Sequence, residues 1–213
     1  MNEILQIREL ILYAFKSLLA LFIIVDPIGN VPIFLVFIEK YSENERKEIV
    51  KNSVTIAMIA LLAFMIFGQY ILSVLDISMS SLKIAGGLLL IIIAVEMLFG
   101  RKSRTEHSDE IEEEMENIEI TPLAIPLLTG PGAITLSMVL YSFSETILHK
   151  IILIIDIFLV FFLSYIILSR SEVIFKIIGK RGTKVIIRLM GLLLSAIGIE
   201  FVASGIRDFI HSL

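Results

Sequence analysis

Two short runs have the residue types and spacing to bind a small polar molecule: Asp26-Pro27-Ile28-Gly29-Asn30 followed by Pro32, and Thr129-Gly130-Pro131-Gly132-Ala133 preceded by Pro126. Proline removes an amide donor and crowds the preceding turn, and glycine permits backbone angles that other residues resist, so each run should break a helix. A helix resuming after Gly29 or after Gly132 presents unpaired N–H groups and the positive end of its dipole, which suits a carboxylate or another anionic oxygen. Asn30 can donate and accept at the same place. Asp26 can hold an ammonium, a coupling proton or a cation, or simply cap the resumed helix. One site can therefore take both ends of a zwitterion; kinks that serve only tight packing are the bland alternative.

The elements that must position these runs are apolar blocks. Mean hydropathy is +0.93, with 57% hydrophobic and 19% charged residues, too little charge for a soluble surface on 213 residues. Six blocks are long enough to cross about 30 Å of hydrocarbon: about 10–38, 53–75, 82–99, 122–141, 151–168 and 186–206. The connectors are short and offer no soluble shell, so lipid must cover these helices. The first block follows a segment of mixed charge and runs beyond signal-peptide length, so it is expected to stay as structure.

Thirteen Lys and Arg fall on the connectors after the odd-numbered blocks or at the edge of block six, and five on the other side. The positive-inside rule then puts the odd connectors in the cytoplasm and both termini outside a cell membrane. The charged stretch 100–120 reads as a cytoplasmic linker between two three-block halves, 1–99 and 121–213, and DEIEEEMENIE within it as solvated. Halves of three crossings, if homologous, are inverted relative to one another. GLLLIIIAVE from Gly87 matches GLLLSAIGIE from Gly191, and the same offset carries Pro27 onto Pro131. The expected fold is thus an all-α membrane protein of six segments in a 3+3 inverted repeat, with the first and fourth segments broken.

Other polar residues fill lesser roles. Lys83 and Arg188 either snorkel to the interface or turn inward to compensate an acid, and Gly86, Gly87 and Gly191 allow close helix approach, a hinge or a gate. Asp156 is placed near the outer headgroups, and Ser17 and Gln69 stand too isolated to name as ligands. His107, His149 and His211 are far apart in or beside connectors, and cysteine is absent, so no metal and no cofactor is expected. No GxxxxGK, HExxH or GxSxG motif is present, which argues against direct ATP coupling and against an intramembrane enzyme.

At DPIGNVPIF, LKIAGG, AIPLLTGPGAIT and RLMGLLLSAIGIEF the sequence resembles the MarC family of small integral membrane proteins, which includes neutral amino acid transporters. The resemblance covers almost the whole chain. It implies a six-helix protein that carries glycine, alanine or related small neutral amino acids. Two positions depart from the family pattern: Asp26 stands where Asn usually precedes the proline, which adds a charge, and Lys83 stands where Arg is frequent, which replaces a planar donor fork by a point charge. The expected partners are the lipid bilayer, a small neutral amino acid and a coupling proton or sodium ion, with homo-oligomerisation open and no nucleic acid. A passive channel or exporter for another small solute, or a membrane scaffold without transport, are the competing readings.

Overall fold

The computed structural model describes residues 2–99, 119–144 and 146–211. The expected linker, including His107, lies outside the described residues apart from the helical start at Glu119. Among the described residues every regular element is helical: α1 Asn2–Val25, α2 Val31–Ile38, α3 Glu43–Val74, α4 Met79–Phe99, a wide-turned π-helix Glu119–Leu128, α5 Pro131–Ser142, α6 Ile147–Ser169 and α7 Ser171–His211. Among the described residues, four helices are long and apolar enough to cross a membrane, namely α3, α4, α6 and α7, and α5 is a shorter apolar helix.

Local chemistry sets the boundaries. α3 starts ten residues before its apolar block because Ser42 and Glu45 form a reciprocal capping box, Ser42 N–H donating to Glu45 Oε2 at 2.8 Å. Thr146 Oγ1 caps α6 by accepting from His149 N at 3.4 Å. The π-helix contains Pro122 and Pro126, which have no N–H to give the preceding turn, and it closes with Thr129 N donating to Ala124 O, five residues back. α7 is interrupted at Gly179, whose φ of 64° is a left-handed value that costs glycine little.

The bundle is apolar on its outside as well as its inside. Ile59, Phe67, Phe158, Phe162 and Leu192 are exposed along the spans, as a lipid-solvated surface requires. α4 and α7 form the most extensive pair. They run antiparallel, with Gly205 against Ser80 and Ile84 at one end, Gly198 against Gly87 and Ile91, and Gly191 against Ala94 and Leu98 at the other. Small residues at this seam let the backbones approach closely, and dispersion across that contact holds the helices where lipid offers no hydrophobic drive. Around it, α1 packs on α6, the π-helix on α3, α2 on α7, α5 on α4, and α3 on α6.

Candidate functional site

The first interruption lies between Val25 and Val31. Asp26 has a φ of 44°, rare for a residue with a β-carbon, and turns the chain out of α1. The backbone groups released there are nearly all satisfied. Asp26 N–H still donates to Phe22 O at 3.0 Å, Gly29 N–H donates to Asp26 Oδ1 at 3.1 Å, and Asn30 N–H donates to Asp26 O at 3.1 Å. Because Gly29 N–H points to the carboxylate, Val25 O needs another donor, and buried Asn30 supplies it from Nδ2 at 3.0 Å. Val31 N–H donates to Ile28 O, and Pro32 falls in the first turn of α2, where a missing donor costs least.

The second interruption is less self-satisfied. Gly130 is the N-cap of α5 with an extended backbone, Pro131 is the first helical residue, and the first intrahelical bond is from Ile134 N to Gly130 O at 3.1 Å. The amides of buried Gly132 and Ala133 precede that bond and belong to the positive end of α5. Thr129 Oγ1, also buried, anchors the break by donating to Ala57 O on α3 at 2.8 Å. One turn away on the same face of α3 is Ser53, fully buried, whose Oγ has no hydrogen-bond partner.

The second interruption reaches the last turn of α1. A β-carbon at Gly132 would lie 3.0 Å from Ile24 Cδ1, at the end of α1, 2.8 Å from Leu90 Cδ2 and 3.3 Å from Ile93 Cδ1 on α4. One turn on, Gly86 faces the Thr135 side chain. The start of α5 therefore fits against both the end of α1 and the glycine face of α4, with no room for a side chain at Gly132.

Lys83 turns inward. It is 3% exposed, its Nζ is paired with Asp208 of α7, and it stands 3.4 Å over the centroid of the Phe143 ring. Arg188, by contrast, is exposed, and Gly191 belongs to the α4–α7 seam. At the opposite end of the bundle a groove of about 240 Å³, lined in part by Arg46, Lys47, Arg170 and Glu172, holds the Arg46–Glu172 ion pair and lies away from both interruptions.

Sequence reasoning missed one pair. Asp156, expected near the outer headgroups, is 5% exposed inside the bundle, and its Oδ2 lies 2.5 Å from the Oγ of Ser17, itself 1% exposed. The signal was faint: Ser17, next to Lys16, and Asp156 each fall among apolar residues, in α1 and in α6, helices that meet only in the fold. Among the described residues, no group of three or more His, Asp or Glu is arranged to hold a metal ion.

Comparison with known proteins gives a consistent result. The family model described as MarC family integral membrane protein matches residues 11–210. The UPF0056 membrane protein MJ1677 of Methanocaldococcus jannaschii is 38% identical over 197 residues, covering 92% of this chain and 96% of that protein. A UPF0056 membrane protein of Archaeoglobus fulgidus is 37% identical over 203 residues, covering 94% and 95%, and the UPF0056 membrane protein YvbG of Bacillus subtilis is 36% identical over 193 residues, covering 89% and 92%. No solved structure matches the chain.

Proposed function

Since the chain belongs to the MarC family of integral membrane proteins and is a multi-pass membrane protein, we propose that it is a secondary, ion-coupled transporter of small neutral amino acids such as glycine or alanine. The substrate site is at the facing helix interruptions. The observation that carries this reading is the approach of Gly132, at the start of α5, to Ile24, at the end of α1. Broken helices are tolerated at membrane depth where they line a site rather than face lipid.

In this mechanism the substrate carboxylate lies at the Gly132 and Ala133 amides, beside Thr129 and Gly130. The ammonium lies toward Asp26 and Asn30. Asp26 Oδ1 now holds the Gly29 N–H. When the ammonium draws that carboxylate away, Gly29 N–H becomes a further donor to the substrate, so both charged ends are met from one pair of breaks.

α1 with α2, and the π-helix with α5, count as the two broken crossings, which with four long helices makes six. The pairing of elements supports a 3+3 inverted repeat. Exchanging α1/α2 with π-helix/α5, α3 with α6, and α4 with α7 turns the α1–α6 contact into the π-helix–α3 contact and the α2–α7 contact into the α5–α4 contact. The α3–α6 and α4–α7 contacts map onto themselves. Transport proceeds by the two halves rocking about the midplane site, with both termini outside and Lys83, Gly86, Gly87, Arg188 and Gly191 along or beside the moving seam.

Equilibrium binding of radiolabelled alanine to purified protein tests the placement. Gly29→Val and Gly132→Val should each weaken binding by about tenfold or more, every factor of ten being roughly 1.4 kcal/mol. Unchanged affinity in both variants, each shown to be folded, contradicts this site.

A further inference from the structure

α1 and α6 enclose a carboxyl group that the substrate site does not use. Ser17 Oγ lies 2.5 Å from Asp156 Oδ2, 2.7 Å from Tyr13 O and 3.2 Å from Ala14 O. A hydroxyl has one proton to give and two lone pairs to receive. If Asp156 is a carboxylate, Ser17 donates to it and the short contact with Tyr13 O has no proton. If Asp156 is a carboxylic acid, it donates to Ser17 Oγ and Ser17 donates to Tyr13 O, so both short contacts are hydrogen bonds. The acid form gives each of the two short contacts a proton, whereas the ionised form leaves one of them without.

The surroundings agree with that reading. The residues that α2, α3, α5 and α7 bury carry no charge. α1 presents Tyr13, and its Lys16 is exposed. On α6 itself, His149 and Lys150 are about two turns before Asp156, with Lys150 Nζ over the Tyr141 ring at 4.9 Å. No described cation is paired with Asp156, and an ionised carboxylate without a counter-charge is costly at this depth.

A polar cluster lies about one helical turn from it, toward one end of the bundle. Thr146, exposed, has its Oγ1 2.7 Å from His149 Nδ1; the His149 ring meets the Tyr13 ring edge-on at 4.6 Å; and Tyr13 Oη is 2.9 Å from Ser144 Oγ. Tyr13 is one helical turn from Ser17.

We propose that Asp156, held by Ser17, is a proton-binding site separate from the helix interruptions, loaded from water at the Tyr13–His149 end. This rests on the transport reading and deepens it by making the coupling ion a proton. One proton passes from water to a carboxylate oxygen of Asp156, stays as the neutral acid while the halves move, and returns to water on the other side; no other bond forms or breaks.

Two measurements on the full chain in proteoliposomes test this. Infrared difference spectra should contain a carboxylic C=O band that responds to bath pH and disappears in Asp156→Asn. Asp156→Asn should keep exchange of labelled alanine between equal pools while losing accumulation driven by an imposed pH gradient, by about tenfold or more. Accumulation equal to wild type in that variant, or a band unchanged by it, overturns the proposal. Should Asp156→Asn fail to insert, Ser17→Ala supplies the readout: the pH at which the band titrates should move, and an unmoved titration counts as refutation. A wild-type protein that shows the Asp156 band but moves no amino acid contradicts the transport reading and the coupling role while leaving the proton site standing; active transport with no such band does the reverse.

Discussion

Gly87 and Gly191 meet matching neighbours across the α4–α7 seam. A β-carbon at Gly87 would lie 2.6 Å from Gly198 O and 2.8 Å from Val202 Cγ2; one at Gly191 would lie 3.1 Å from Ala94 O and 3.3 Å from Leu98 Cγ. The offset that carries Gly87 to Gly191 also carries Ala94 to Gly198 and Leu98 to Val202, so the two contacts interchange when the halves are exchanged. A local two-fold relation of this kind is what the proposed inverted repeat requires of its seam.

Substitution at this seam should therefore have paired effects. Gly87→Ala and Gly191→Ala each place a methyl group against backbone, and overpacking of this kind costs about 1–3 kcal/mol. Gly87→Ala, with the closer contact, should be the more damaging. Thermal unfolding in detergent checks this, and wild-type midpoints for both variants count against close packing at the seam.

Lys83 and Asp208 should show strong coupling. Asp208→Asn leaves the Lys83 ammonium buried without its counter-charge, which should lower the thermal midpoint clearly. Lys83→Met with Asp208→Asn removes the charge along with its partner and should recover most of the loss. Additive losses in the double variant contradict an ion pair whose main cost is the orphaned lysine.

Arg46 should matter more than its acidic partner. It pairs with Glu172, and it also donates from Nε to Tyr41 O at 2.7 Å and from Nη2 to Glu39 O at 2.5 Å, closing the carbonyls beyond α2. Glu172→Ala removes a partly exposed ion pair, worth about 0–1 kcal/mol. Arg46→Ala also strips the carbonyl donors and should cost about 1 kcal/mol more. Denaturant unfolding of the two variants separates these, with equal losses as the contrary result.

The breaks were legible because proline and glycine act locally: the chain leaves α1 at Asp26-Pro27 and starts α5 at Pro131 for reasons contained within a few residues. The apolar blocks were legible too, although their ends were not. Ser42 and Glu45 carry α3 well into charged sequence, and α7 begins at Ser171, with Gly179 bending it inside what reads as a connector. Pairings across the fold left almost no trace. Asp156 looked interfacial because its partner Ser17 is in another helix, and Lys83 could be assigned inward or outward until Asp208 was placed beside it. The glycines of α4 and α7 announced close approach without announcing their partners.

The absence of cysteine makes orientation directly measurable. With both termini outside, Thr146→Cys should react with an impermeant maleimide added outside intact cells, and Glu172→Cys should react only after the membrane is opened. The reversed pattern would invert the topology without altering the fold.

The central claim is transport by the paired helix breaks, and uptake of radiolabelled glycine and alanine into proteoliposomes, with proton and sodium gradients imposed separately, tests it most directly. Accumulation above equilibrium under a proton gradient, lost in Gly132→Val, is the expected result. Flux that only equilibrates under either gradient would indicate a facilitator, and no flux of any small neutral amino acid by correctly inserted protein would contradict the assignment.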